Sequence, residues 1–347
     1  IIMKVGIASV QVPFMTGGAE IHARLLHEQL IHRGFEADII TLPFKWYPPQ
    51  QLLDHIAAVD LLDLSEVNGQ KIDRLITLKF PMYYARHPNK VAWILHQHRQ
   101  AYELFETPHS DLHLTAEGRT VSHKIRGLDT RRLPEHKHIF TNSKNVAQRL
   151  WRYNRIHADA LYHPPEDHQL LHCASYGNYI LMPGRLDAIK RQLLMLEALV
   201  DLPALELIII GNPNTAYGEV LQHRVAELNL TQRVQIKGFV SREEKVSLYA
   251  NALAIYNGAY EEDYGYVTLE GFFSSKPVIT HTDSGGPLEF VIDQENGFVT
   301  EPTSTAIADA LSGLNKAKAR QLGNAGRQLM LDLNLSWDFI IDSLLQA

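Results

Sequence analysis

The sequence predicts an α/β protein of two parallel-sheet domains facing a cleft, and three observations predict it. Short β-branched runs alternate with segments whose apolar residues recur at helical spacing, as parallel sheets covered on both faces require. The alternation runs twice, and the proline-punctuated stretch Tyr162-His-Pro-Pro-Glu-Asp-His168 stands between the two runs. Polar and glycine-bearing segments follow the strands, at the edge where open α/β sheets bind their ligands. The expected division is a first domain over 1–168, a second over 169–330, and a closing segment over 331–347 whose helix packs back across the interface towards the first domain.

Composition sets bounds on function. The 347 residues, 45% apolar and 21% charged, are ordinary for a globular chain long enough for two domains. The net charge of −6 argues against a nucleic-acid binder, which needs the opposite excess. The balance is uneven: residues 1–172 carry 20 Lys and Arg against 18 Asp and Glu, and the remainder 13 against 21. The basic residues between Arg119 and Lys137 form a solvated surface or a patch for an anionic acceptor or membrane face. The single cysteine, Cys173, cannot form an internal disulfide or a thiolate cage, so the chain suits a reducing cytoplasm, including the cytoplasmic face of a membrane on which it sits peripherally. No apolar run approaches a membrane span.

In the first half, Met3-Lys-Val-Gly-Ile-Ala-Ser9 reads as a buried strand. Thr16-Gly17-Gly18-Ala19-Glu20 then opens a helix carrying Ile21, Leu25, Leu26, Leu30 and Ile31, which ends at Gly34. With a strand at 37–42 this is a βαβ unit, whose glycine pair lets a ligand approach a helix N-terminus closely. There is no G-x-G-x-x-G, so a nicotinamide cofactor is not indicated. Further strands are expected at 74–79, 91–95, 138–141 and 158–162. The strand at 91–95 runs into His96-Gln97-His98-Arg99 and places a histidine, His96 or His98, at a strand's carboxyl end.

The second half repeats the pattern, with strands at 179–182, 205–210, 234–237, 253–256 and 277–280 and helices at 191–200 and 217–228. A last helix is expected at 337–345. The first of these strands exits into Pro183-Gly184-Arg185-Leu-Asp-Ala-Ile-Lys190, whose two cations could hold a pyrophosphate. In Tyr260-Glu-Glu-Asp-Tyr-Gly-Tyr-Val-Thr-Leu-Glu270, two carboxylates, Glu262 and Glu270, flank a loop that feeds a helix starting near Gly265. Carboxylates beside free backbone N–H groups suit a polyhydroxylated ligand that also bears phosphate. Acidic residues complementing the helix dipole are the plainer explanation of this stretch by itself.

Taken in order, these motifs resemble the retaining glycosyltransferases of the GT-B fold, glycosyltransferase family 4, with two Rossmann-like domains. The 260–270 stretch is similar to that family's E-x7-E element, and Gly184-Arg185 with Lys190 to its G-R-L-x-x-x-K element. Gly17-Gly18-Ala19-Glu20 is similar to its N-terminal glycine loop, His281-Thr-Asp-Ser-Gly285-Gly286 to its second glycine pair, and Thr141-Asn-Ser-Lys to the segment before the interdomain crossing.

The resemblance implies transfer of a hexose from a UDP- or GDP-sugar to the hydroxyl of a sugar, polysaccharide or glycolipid acceptor, with retention through front-face attack. The departing phosphate oxygen then takes the acceptor proton, and neither metal nor cofactor is expected, in keeping with the absence of a D-x-D pair. Glu270 would hold the ribose and Glu262 the transferred sugar. Arg185 and Lys190 would bind the diphosphate, with backbone at Gly17 and Gly18 close by. His96 would lie near the reacting sugar, Gly211 and Val240 would line the base, and the loop amides around Tyr264, Gly265 and Tyr266 would approach the ring. The chain departs from the family in Asn257-Gly258 where Pro-Ser is common, in Tyr264 for phenylalanine, in Gly271 for alanine, and in Gln97 for the aspartate frequent after His96. Fold does not fix reaction. An epimerase or hydrolase on this fold would need a further acid/base pair, and a non-catalytic nucleotide-sugar subunit would have little use for both cations and both glutamates.

Overall fold

The computed structural model describes Ile2–Ala347. The chain divides into two compact units, Ile1–His163 with Ser336–Ala347, and Pro164–Leu335. In the first unit the elements are β1 (Lys4–Gln11), α1 (Gly18–His32), β2 (Glu36–Pro43), α2 (Gln50–Asp60), a small hairpin of β3 (Glu66–Val67) and β4 (Gln70–Lys71), β5 (Arg74–Lys79), β6 (Lys90–His96), α3 (Ala116–Arg132), β7 (Ile139–Thr141), α4 (Lys144–Asn154) and β8 (Asp159–Ala160). Its main sheet has the order β2-β1-β5-β6-β7-β8 and every pairing is parallel.

The central strands are buried on both faces, so their sequences run continuously apolar instead of alternating. Leu75-Ile-Thr-Leu78 in β5 and Val91-Ala-Trp-Ile-Leu95 in β6 are inaccessible or nearly so. Ile7, Ile76 and Trp93 pack with Leu26 and Leu30 of α1 on one face. Ala8, Leu75 and Ile94 pack with Leu52 and Ile56 of α2 and Val121 and Ile125 of α3 on the other. Each such side chain contributes about 1.5–3 kcal/mol by leaving water. The expected strand at 158–162 shrinks to the two residues of β8, since it is the sheet's edge and Pro164-Pro165, which lack N–H donors, follow at once.

The second unit runs β9 (Tyr179–Pro183), α5 (Gln192–Ala198), β10 (Glu206–Ile210), α6 (Ala216–Glu227), β11 (Val234–Ile236), α7 (Arg242–Asn251), β12 (Ala254–Tyr256), α8 (Tyr266–Phe273), β13 (Val278–His281), β14 (Gly297–Thr300), α9 (Ser304–Leu311) and α10 (Lys316–Leu333). Its parallel sheet has the order β11-β10-β9-β12-β13-β14. Counted within the unit this is 3-2-1-4-5-6, whose direction of winding reverses between β9 and β12. In doubly wound sheets ligands bind at the carboxyl ends of the strands where the winding reverses, and the candidate site is built there, after β9 and β12. β14 is an element the sequence reading lacks, because a four-residue run among polar turn residues carries no measurable period.

The last helix, α11 (Trp337–Gln346), belongs to the first unit. Ile340, Ile341 and Leu344 enter the core formed by Val5, Ile7 and Leu26. Asp338 accepts from Arg33, and Arg74 donates to the carbonyls of Leu345 and Ala347. Among the described residues, no helix is long and apolar enough to cross a membrane.

Candidate active site

Within the second unit, β9 and β12 deliver two loops side by side. The β9 loop carries Arg185 and Lys190; the β12 loop carries Glu262 and leads into α8. The Lys190 ammonium lies 2.5 Å from Glu262 Oε2, with both side chains only partly exposed. The Glu262 backbone is held from both sides: its N–H donates to the Ser284 carbonyl at 2.7 Å and its own carbonyl accepts from Gly286 N–H at 2.8 Å. The second glycine pair thus forms a bridge to the first glutamate, Glu262 opposite Gly285. Arg185 stands apart from the Lys190–Glu262 pair, 62% exposed and 3.2 Å from Asp187, whose carboxylate also caps the short turn Ala188–Lys190.

Gly265 caps α8 with φ of 81°, a conformation unfavourable to any residue with a Cβ. A Cβ there would also press on Asn257 Nδ2 at 3.1 Å and Glu262 Cγ at 3.3 Å. The N-cap residue of α8 thus carries no side chain to cap the helix, whose N-terminal dipole favours an anionic ligand. Asn257 is buried and donates to Thr268 Oγ1, tying the loop to the helix it feeds. Gly258 explains one departure from the family pattern. A Cβ at this position would fall 2.1 Å from the Tyr256 hydroxyl and 2.7 Å from His281 Nε2, which bond each other, so serine does not fit. Burial and the charge of Arg191 bring the His281 imidazole down to about 4, so it stays neutral between Tyr256 and Thr300.

Glu270 lies one turn along α8, buried, with both oxygens engaged by α7: Lys245 Nζ at 2.6 Å from Oε1 and Tyr249 hydroxyl at 2.5 Å from Oε2. Burial lowers the Lys245 pKa, but the charge and hydrogen bond of Glu270 outweigh it and hold the ammonium above its ordinary value. Tyr264 is buried with its ring 5.7 Å from Tyr266 and 6.0 Å from Phe290, so the side chain is a packing element and what it offers a ligand is backbone. Tyr266 is half-buried at the first position of α8. Gly211 N–H donates to Gly238 O across the ends of β10 and β11, and Val240 follows, half-buried, before α7.

In the first unit, Gly17 caps α1 and receives the Glu20 carboxylate on its own N–H at 2.9 Å, with Gly18 opening the helix. His96 ends β6 half-buried, its Nδ1 2.6 Å from the Gln97 carbonyl. His98 is buried against Phe80 and Phe44, and burial depresses its pKa to about 3. Of the two histidines, His96 is therefore the one with a solvent face. Gln97 turns inward and donates to Asp129 and Asn154.

Three residues outside the sequence reading bear on the site. Lys245 and Tyr249 are four apart on α7 and so share a face, but beside Glu243 and Glu244 they read as surface charge. Arg191 sits directly after Lys190 and reads as a third cation of the same loop.

The reversed sheet order, with a lysine–glutamate pair and an uncapped helix start at its switch point, defines a doubly wound α/β domain suited to a phosphate-bearing ligand. Residues 165–329 match the family Glycosyl transferases group 1, and the second unit is a domain of that family. Among curated proteins, the chain is similar to the alpha-1,3/1,6-mannosyltransferase of Dictyostelium discoideum, 28% identical over 134 residues that make up 36% of this chain and 32% of that protein. It is also similar to the D-inositol 3-phosphate glycosyltransferase of Mycolicibacterium smegmatis, 25% identical over 47% of this chain and 38% of that one. The matched stretch thus spans about a third of the length of these relatives. In fold, the chain is similar to sucrose-phosphate synthase from Thermosynechococcus elongatus, with a TM-score of 0.79 and 19% identity, over 99% of this chain and 98% of the other. HepE of Anabaena, solved with UDP and glucose, gives 0.71 and 16% over 99% and 100%. The fold is GT-B, two α/β units each built on a six-stranded parallel sheet.

Proposed function

We propose that the chain is a retaining hexosyltransferase that uses a UDP- or GDP-sugar and needs no metal. The observation that carries this reading is the Lys190–Glu262 pair at the switch point, with Glu270 oriented one helix turn away. A cation beside the uncapped start of α8 suits a diphosphate and offsets the charge it gains on leaving. Arg185, exposed and paired with Asp187, supplies a second cation. Glu262 is placed to accept from hydroxyls of the transferred sugar, and Glu270, whose two oxygens each keep a lone pair beyond those used by Lys245 and Tyr249, from the ribose. Gly211 and Val240 offer backbone to the base, and Gly265 and Tyr266 offer amides to the ring and diphosphate.

In the first unit the backbone of Gly17 and Gly18 and the imidazole of His96 take donor-binding roles, with the Gly17 N–H already given to Glu20. With the leaving phosphate oxygen as base, no side chain has to deprotonate the acceptor. The acceptor class is a sugar, polysaccharide or glycolipid, and the site of action is the cytoplasm or the cytoplasmic face of a membrane. The test is release of nucleoside diphosphate from a panel of UDP-, GDP- and ADP-sugars in EDTA, with Glu270→Ala as control and the product's anomeric configuration read by NMR. We expect release from one donor, loss of it in the variant, and a retained anomer. An inverted product, or release that depends on added Mg²⁺, overturns the mechanism.

A further inference from the structure

Arg191 stands at φ of 55°, a left-handed backbone that residues with a Cβ rarely adopt. Its side chain is 15% exposed and engaged on every side. Nε donates to the Gly258 carbonyl at 2.6 Å and Nη2 to the Ala259 carbonyl at 3.3 Å. Nη1 and Nη2 grip Asp283 as a fork, at 3.0 and 2.6 Å. The guanidinium lies 5.7 Å from the Tyr260 ring, and the Arg191 carbonyl accepts from the Tyr256 hydroxyl at 3.0 Å.

These bonds join three segments that are remote in sequence. One holds Lys190, the next runs from Gly258 to Glu262, and the last runs from Asp283 to Gly286. The backbone adds rungs around the same point, from Tyr260 N–H to Ile189 O and from Glu261 N–H to Asp283 O. Lys190 and Arg191 are adjacent, yet the left-handed turn sends them apart, Lys190 to Glu262 and Arg191 into the loops that carry Glu262. A guanidinium that already gives four of its five N–H groups to a carboxylate and two carbonyls is a poor cation for a ligand phosphate. Lysine could not replace it, because a single ammonium cannot form the fork and reach Gly258 together.

We propose that Arg191 is a positioning residue that sets the geometry of the Lys190–Glu262 pair by clamping the three loops around it; this rests on the reading of that pair given above. Its effect falls on turnover, since misplacement of reacting groups by about 1 Å costs on the order of 100-fold in rate. Binding of the nucleoside diphosphate, which draws on Glu270 and backbone as well as on Lys190, falls far less.

The test compares wild type with Arg191→Gly, which accepts the left-handed backbone and removes only the clamp, and with Arg191→Lys. Turnover of the best donor, Kd for the nucleoside diphosphate and Tm are measured for each, beside Lys190→Ala. For Arg191→Gly we expect kcat to fall about 100-fold with Kd changed less than about threefold, and for Arg191→Lys little recovery. Where Arg191→Gly does not fold, Asp283→Asn weakens the fork alone and is expected to lower kcat about 10-fold. Turnover intact in Arg191→Gly, or in Asp283→Asn where that is the variant used, while Lys190→Ala is inactive, overturns this inference alone. Turnover intact in Lys190→Ala overturns the reading of the pair and this inference with it.

Discussion

Lys245 Nζ and Glu270 Oε1 lie 2.6 Å apart, joining α7 to α8 across the second unit's candidate nucleotide site. The Tyr249 hydroxyl, one turn further along α7, holds the other oxygen of the same carboxylate. A buried carboxylate costs free energy unless it is paired and hydrogen-bonded, and here both conditions are met by one helix face. The pairing also fixes the rotamer in which Glu270 would meet a ribose.

Removing the tyrosine's share is the sharper perturbation, because that hydroxyl is buried. Tyr249→Phe is expected to cost about 1.5–3 kcal/mol, as for a hydrogen bond to a charged group, and to weaken nucleoside diphosphate binding about tenfold. Lys245→Met removes a partner 40% exposed to solvent and is expected to cost about 1 kcal/mol or less. Denaturant unfolding and calorimetric titration with the nucleotide measure both; a Tyr249→Phe protein with wild-type affinity sinks the orienting role.

Lys190→Ala is expected to lower kcat by a factor of about 100–1,000 through lost stabilisation of the leaving diphosphate, with little change in Tm. Steady-state release of nucleoside diphosphate gives the rate, and a loss confined to KM would assign Lys190 to ground-state binding instead.

The first unit should be sensitive to acid. Burial holds His98, His136 and His163 at about 3 and His22 well below its ordinary 6.5, helped at His22 by the charge of His163. Neutral rings in the fold and protonated ones in the unfolded chain mean that their contribution is complete above pH 6.5 and is lost as pH falls towards 3. Asp129 opposes this. Burial raises it from 3.8 to about 6 against the hydrogen bonds of Tyr84, Tyr102, Tyr83 and Gln97, so between pH 6 and 3.8 it gains stability as pH falls. Four groups outweigh one, so unfolding monitored at Trp93 should move to lower denaturant between pH 6.5 and 4.5. His163→Phe should flatten that dependence; an unchanged slope in the variant excludes His163 as a contributor.

Ile340→Ala is expected to destabilise the first unit by about 2–5 kcal/mol, the range for a large-to-small change at an inaccessible position. The same unfolding curve reads it. A change below 0.5 kcal/mol would show that α11 adds little to the core it enters.

Much of the fold was legible in short windows. Strands expected at 74–79, 91–95 and 179–182 lie at Arg74–Lys79, Lys90–His96 and Tyr179–Pro183, since runs buried on both faces are continuous and apolar. The helix beginning at Gly265 was legible too, because a glycine before an apolar period is a local signal. β14 and the β3–β4 hairpin were not, each being shorter than any period that reveals a strand. Nor could spacing tell His96 from His98: both follow β6, and only the packing of Phe44 and Phe80 buries the second.

By itself, the sequence determined the two α/β runs, the punctuation between them and the order of the phosphate- and hydroxyl-suited motifs, because periodicity and turn chemistry act over a few residues. The tertiary structure alone decided which of those residues meet. Lys190 reaches Glu262, 72 positions on, and Arg191 reaches Asp283, 92 positions on, because β9, β12 and β13 lie side by side in the sheet. Strand order is settled by the packing of the whole unit, so no window of sequence contains these pairings.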